Sequence, residues 1–177
     1  MRLSVFVKPF VTLLLIVVVI CALYAFVIIP FFLHFSNYSR VIHVAKANTL
    51  VVQDGGKVME VKLIGVEEPQ ENGPAATTQC LDEEARHYMV SNFFTKNQDI
   101  RLIKDDSIGD MDSEGHYLRY VYLKNGDFLN EKILENGLGE QPYDPNLKLQ
   151  KQDELTQAQK DAQSKNLGVW NPQGCGE

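Results

Sequence analysis

Between Phe10 and Phe35 the chain carries no formally charged residue and very few polar ones. A run of that length exceeds the roughly 20 residues a helix needs to cross a bilayer. In lipid, a helix satisfies every backbone group of such a segment internally. Residues 10–35 are therefore expected to form a single transmembrane helix. A cleaved secretory signal would show a shorter apolar core ahead of small residues. Here the run ends on the bulky Ile29-Pro30-Phe31-Phe32, so the helix is read as a retained signal anchor. Arg2 and Lys8 precede it with no acid beside them. The positive-inside rule then leaves residues 1–9 cytoplasmic and sends everything after the helix outward. Residues 36–40 read as a linker and 41–177 as one extracytoplasmic domain, since 177 residues leave no room for a second sizeable core.

Charge bears on partners. All 23 acidic residues follow the helix, against fifteen of the seventeen basic ones, a balance of −8 for the outer part. Nucleic-acid binding draws much of its affinity from cations that neutralise phosphates, and no Lys/Arg run here promises a basic patch. The balance counts against a polyanion partner, although local fields can oppose net charge. Cys21 lies within the apolar run, which leaves Cys80 and Cys175 outside. In an oxidising compartment this pair reads as a disulfide; two free thiols or a metal-ligand pair are the alternatives. No CxxC and no His–Cys cluster supports the metal.

Local patterns order the domain. Arg40–Val44 and Thr49–Gln53 are rich in β-branched residues, Asp54-Gly55-Gly56 supplies a turn, and Lys57–Ile64 alternates apolar with polar residues. That is a hairpin signature. Residues Glu67 to Gln79 read as loop. A helix is expected over Leu81–Lys96, with Ala85, Tyr88, Met89, Asn92 and Phe93 on one side and acids at its start. Strands follow at Ile100–Lys104 and Tyr117–Lys124, separated by a polar loop. A short helix over Phe128–Glu135 stops at Asn136-Gly137, and a longer one runs over Leu147–Asn166 on one thin apolar stripe. Modest strands in β-β-β-α-β-β-α-α order predict an α+β fold: an OB-fold-like five-stranded β-barrel with about three helices, preceded by the transmembrane helix.

Several local motifs resemble the thermonuclease family, the staphylococcal-nuclease-like domain. Val61-Lys62-Leu63-Ile64-Gly65-Val66-Glu67-Glu68-Pro69-Gln70 is similar to the family's R-L-I-G-I-D-T-P-E strand and loop, and Leu118-Arg119-Tyr120-Val121-Tyr122 to its L-A-Y-V-Y strand. Phe128 to Leu138 resembles V-N-E-x-L-V-x-x-G, and Leu167-Gly168-Val169-Trp170 the closing G-L-W. Secreted relatives often carry one cysteine before the first helix and one after that Trp, which matches Cys80 and Cys175.

The resemblance implies metal-assisted phosphodiester hydrolysis: hard carboxylate oxygens for calcium, a Glu assisting the attacking water, and two Arg on the developing phosphorane charge. Residue by residue, the chemistry is substituted. The family's D-G-D-T falls on Lys46-Ala47-Asn48-Thr49, so one metal-ligand Asp becomes Asn48. The other metal-ligand Asp becomes Glu67, the first Arg Lys62, the Glu after the proline Gln70, and the second Arg His116. Tyr143, in Tyr143-Asp144-Pro145-Asn146, keeps the nucleotide-flanking pattern. Catalytic positions are thus Lys62, Gln70 and His116, metal positions Asn48 and Glu67, and the nucleotide contact Tyr143. The expectation is a domain degenerate in catalysis that serves binding or scaffolding, with no cofactor. Its partners would be the membrane, through residues 10–35, and an unknown protein or other ligand. The alternative is a calcium-dependent phosphodiesterase acting on extracellular nucleic acid.

Overall fold

The computed structural model describes residues 4–28, 38–68, 75–95, 98–142, 144 and 146–172, and divides into two compact units, Met1–Asn37 and Tyr38–Glu177. In the first, helix α1 (Ser4–Leu23) runs on into a π-helical turn, Tyr24–Ile28. Its described apolar side chains, among them Leu13, Ile16, Val19 and Leu23, are exposed. Among the described residues no helix is long and apolar enough to cross a membrane. The expected span over 10–35 lies partly outside those residues, as do residues 36 and 37 of the expected linker over 36–40, while Ser39 and Arg40 of that linker already belong to the first strand.

In the second unit, five strands close a barrel in the order β1-β2-β3-β5-β4: β1 Ser39–Lys46, β2 Thr49–Asp54, β3 Lys57–Leu63, β4 Asp99–Ile103 and β5 Tyr117–Leu123. The first three form an antiparallel meander, β4 pairs antiparallel with β5 and β1, and β3 meets β5 in parallel. Alternation along the strands turns Val41, Leu50, Val52, Val61, Leu63, Ile100 and Val121 into the barrel interior. A register shift between Val41 and His43 resets the phase of β1, so Val44 also points inward while Ile42 and His43 face out.

Three helices surround the barrel among the described residues of this unit. Helix α2 (Ala75–Met89) starts six residues earlier than expected, directly after Pro74, a residue favoured at helix starts. A π-helical turn, Val90–Phe94, continues it. The wider π turn advances the pattern by one residue, so Phe94 is buried and Asn92, expected on the inner side, is exposed. Helix α3 is Leu129–Glu135, close to expectation. Helix α4 begins only at Gln152, not Leu147, and runs to Ser164 with Leu155, Ala158 and Ala162 as its single buried stripe. The delay has an identifiable cause. Buried Asp105 accepts the Gln150 N–H at 2.8 Å, and the Tyr120 hydroxyl accepts the Lys151 N–H at 3.2 Å, so both groups are held by the barrel before the helix starts. Burial works to raise the Asp105 carboxyl, but hydrogen bonds from Ser107, Tyr120 and Gln150 outweigh it and hold it below the usual carboxylate range.

The closing Gly168–Trp170 turn docks on the end of α3 through Val169 N–H to the Gly137 carbonyl, 2.8 Å. Gly137 has φ +65°, and a Cβ there would collide with the Leu167 carbonyl. Gly137→Ala should therefore lose the roughly 1–2 kcal/mol that a left-handed backbone costs other residues, with the steric clash adding to it. Urea unfolding followed by Trp170 fluorescence checks this, and an unchanged midpoint would contradict it.

Candidate functional site

The described substituted positions lie at the β1–β2 turn, the end of β3 and the loop before β5. Thr49 on β2 stands opposite Lys62 on β3. Leu63 donates its N–H to the Asn48 carbonyl at 2.8 Å, which ties the turn to the same strand. Glu67 is pinned by its backbone, giving its N–H to Glu140 at 2.7 Å and accepting the Glu140 N–H at 3.0 Å. Asp82 on α2 accepts the Ala47 N–H at 3.1 Å and docks the turn on the helix.

Asn48 is 1% exposed and fully employed. Its Nδ2 donates to the Val66 carbonyl at 3.3 Å, and its Oδ1 accepts the Thr49 hydroxyl at 2.9 Å. A carboxylate could not make the first of these bonds, since it has no proton to donate. Lys62 Nζ lies 3.3 Å from Glu67 Oε2, and Lys46 Nζ 3.0 Å from Glu68 Oε1. The hydrogen bond to Glu68 raises the Lys46 ammonium above its ordinary range and keeps it charged. The loop acids, which sequence alone leaves as solvated carboxylates, thus each face an ammonium group.

His116 departs from the exposed loop histidine its Gly neighbour suggests; it is half-buried among three carboxylates. Nε2 is 3.0 Å from Glu60 Oε2, and Nδ1 is 2.9 Å from Asp112 Oδ2 and 3.6 Å from Glu114 Oε2. The hydrogen bond to Asp112 is the main cause holding its imidazolium above the usual histidine range. Asp112 Oδ1 accepts the backbone N–H of Glu114 and of His116, at 3.0 and 2.9 Å, which fixes the loop around it. Burial works to raise the Asp112 carboxyl, and the hydrogen bonds from His116 and Glu114 hold it low instead. The donor atoms of Asp112, Glu114 and His116 all lie within 4.8 Å of one another. When the ring carries both protons, the imidazolium is the cation of this cluster.

Calcium fits this donor set poorly. It requires six to eight oxygens, with carboxylates supplying the charge. Here one position is an amide committed to a carbonyl, and the carboxylate at another already has Lys62 beside it. Gln70, Tyr143 and Cys175 lie outside the described residues. Among the described cysteines Cys21 is free, and Cys80 is disulfide-bonded. Sequence reasoning missed Glu60 and Asp82. The first had a signal in strand alternation, which sets Glu60 and Lys62 on the same side of β3; the second had none, because the turn it holds is 35 residues away.

A closed five-stranded barrel with helices packed around it is an OB-like α+β fold. Residues 60–172 match the protein family described as staphylococcal nuclease homologue, and the chain belongs to that family. It is 33% identical over 133 residues to the thermonuclease of Staphylococcus hyicus, covering 75% of each chain. It is 34% identical over 131 residues to the thermonuclease of Staphylococcus intermedius, covering 72% of each. An uncharacterized protein of Methanocaldococcus jannaschii is 27% identical over 157 residues, or 78% of this chain and 73% of that one.

Asn48→Asp would set a carboxylate against the Val66 carbonyl in a buried place. The expected loss is about 1–3 kcal/mol, shrinking as pH falls, because the introduced carboxyl regains a donor once protonated. Thermal unfolding of the variant and the parent at pH 5 and 8 checks it. Equal deficits at both pH values would contradict the hydrogen-bond assignment.

Proposed function

We propose that this protein is a membrane-anchored, extracytoplasmic nuclease-family domain that has left phosphodiester hydrolysis and serves binding or scaffolding. The observation that carries the reading is the charge arrangement at the family site. Ammonium groups of Lys46 and Lys62 neutralise Glu68 and Glu67, where the family uses carboxylates to gather a divalent ion. An ammonium carries one charge on a flexible stem and cannot act as a Lewis acid on a phosphoryl oxygen. Losing a single donor to developing charge costs about 100- to 1000-fold in rate, and here both family Arg positions are replaced. Surface charge supports the same view. Among the described residues, nine basic side chains of this domain are already ion-paired with its own acids. A nucleic-acid strand would have to displace those acids before gaining from the cations.

Anchoring rests on the uncharged run over 10–35 and on the exposure of the apolar side chains of α1. With Arg2 and Lys8 at its start, the N-terminus is cytoplasmic and the barrel lies outside. In that compartment Cys80 pairs with Cys175, tying the tail to the barrel. The reading of a calcium-dependent phosphodiesterase draws support from two relatives named thermonuclease at 33% and 34% identity. One assay separates the two. The full chain in detergent micelles is incubated with single-stranded DNA and calcium or other divalent ions, beside a Glu67→Ala control. Cleavage no faster than the metal-free background is expected. Metal-dependent cleavage that disappears in the control overturns the proposal.

A further inference from the structure

Three carboxylates surround one imidazole at the edge of the barrel: Glu60 from β3, and Asp112 and Glu114 from the loop that carries His116. Carboxylates at neutral pH only accept hydrogen bonds, and a neutral imidazole has a single N–H to give. With Nδ1 hydrogen-bonded to Asp112, the 3.0 Å approach of Nε2 to Glu60 is an ion pair that attracts only while the ring carries both protons. The imidazolium is therefore the link between strand and loop, and its second proton decides whether the link exists. We propose that His116 is a pH-operated strap, which fastens the loop before β5 to β3 when doubly protonated and releases one end when it becomes neutral. The strap does not depend on whether the family site is catalytic.

The rest of the loop confines the movement. Asp110 is held by Lys104 and by Arg119, each at 2.8 Å, and Leu118 N–H bonds the Asp110 carbonyl at 3.0 Å. Two ion pairs and a backbone bond hold this end, and His116 takes part in none of them. At the other end, Glu114 is 75% exposed in its side chain and lies close enough to Lys46 to help keep that ammonium charged. Once His116 loses its charge, Glu60 and Asp112 face each other across a group that can satisfy only one of them. The residue pair that separates is then Glu60 and the 112–116 segment, beside Lys62 on the same side of β3.

The sign follows from His116 being raised, chiefly by Asp112. The strap is complete below the ordinary histidine value of 6.5 and is lost as pH rises through the higher folded value. Lys46 adds a positive charge near Glu114 that does not change over this range.

The test uses the full chain in detergent micelles, labelled with 15N-histidine, with the His116 signal assigned by its loss in His116→Gln. The imidazole titration of His116 should have its midpoint above 6.5, and Glu60→Gln should lower that midpoint. Amide hydrogen exchange at Gly115 and His116, corrected for the intrinsic effect of pH, should rise at least about threefold on crossing the midpoint. In Glu60→Gln it should be fast on both sides. A midpoint at or below the ordinary value, a midpoint unmoved in Glu60→Gln, or equal protection on either side of it would each overturn the proposal. Should His116→Gln fail to fold, through-bond correlation of the imidazole with the assigned His116 backbone amide identifies the signal and leaves the same three outcomes to decide it.

Discussion

The barrel closes where β3 and β5 run in parallel, and one buried amide braces that junction beside the strands' own pairing. Parallel neighbours cannot be joined by a tight hairpin, so nothing local in the chain sets their register. Asn130, at 0% exposure on α3, does so from outside. Its Oδ1 accepts the Val121 N–H at 2.9 Å, and its Nδ2 donates to the carbonyls of Ile64 at 2.9 Å and Arg119 at 3.3 Å. An aspartate would lose both donations, and an alanine would strand the Val121 N–H and the Ile64 carbonyl away from water, each at a cost of about 1–3 kcal/mol, while the Arg119 carbonyl would keep the Ile64 N–H at 3.0 Å. The same contacts fix α3. Beyond α3, the Gly137 turn receives Val169, and Glu140 receives Glu67. The position of a family site residue thus descends from an asparagine on the opposite side of the sheet.

Around that frame, the site solves a charge problem with internal cations. Five carboxylates, those of Glu60, Glu67, Glu68, Asp112 and Glu114, crowd near one end of the barrel, facing Lys46, Lys62 and His116. A divalent ion would offer two charges at one point and could be removed by a chelator. Covalently attached cations cannot leave, and each satisfies one acid with modest energy because the pairs are partly exposed. The acids of the region are thus balanced by the chain's own cations.

Much of the architecture was legible from local pattern. Alternation and turn residues set five strands within a residue or two, and the scarcity of apolar residues after Leu147 pointed to one thin buried stripe, which Leu155, Ala158 and Ala162 form on α4. What escaped depends on contacts distant in sequence. The late start of α4 reflects Asp105, 45 residues before the N–H it holds. The π turn after Met89 shifts the buried face from the residues periodicity picks to Phe94, and no residue there signals it. His116 reads as a loop histidine because its decisive partner, Glu60, lies on another strand. The substitutions themselves were plain from the motif, but their meaning was not: Asn48 could be read only as a missing ligand until its two hydrogen bonds gave it a structural task.

That task explains how an intact scaffold and an altered site can coexist in one chain. The Ala47–Asn48 turn is held from three sides: by Asp82 on α2, by Leu63 N–H on β3, and by the Val66 carbonyl beyond it. Each contact serves the packing of barrel against helix, and none requires a metal or a phosphate. The conformation of the loop is therefore set by demands that persist whatever the polar side chains around it do. At Lys46, Lys62 and Glu68, where side chains are partly exposed and answer only to charge balance, composition is free to change as long as acids keep a cation nearby. Asn48 has no such latitude. Its amide is required by a neighbour's carbonyl, so an aspartate at this position would weaken the turn unless the Val66 oxygen found another donor.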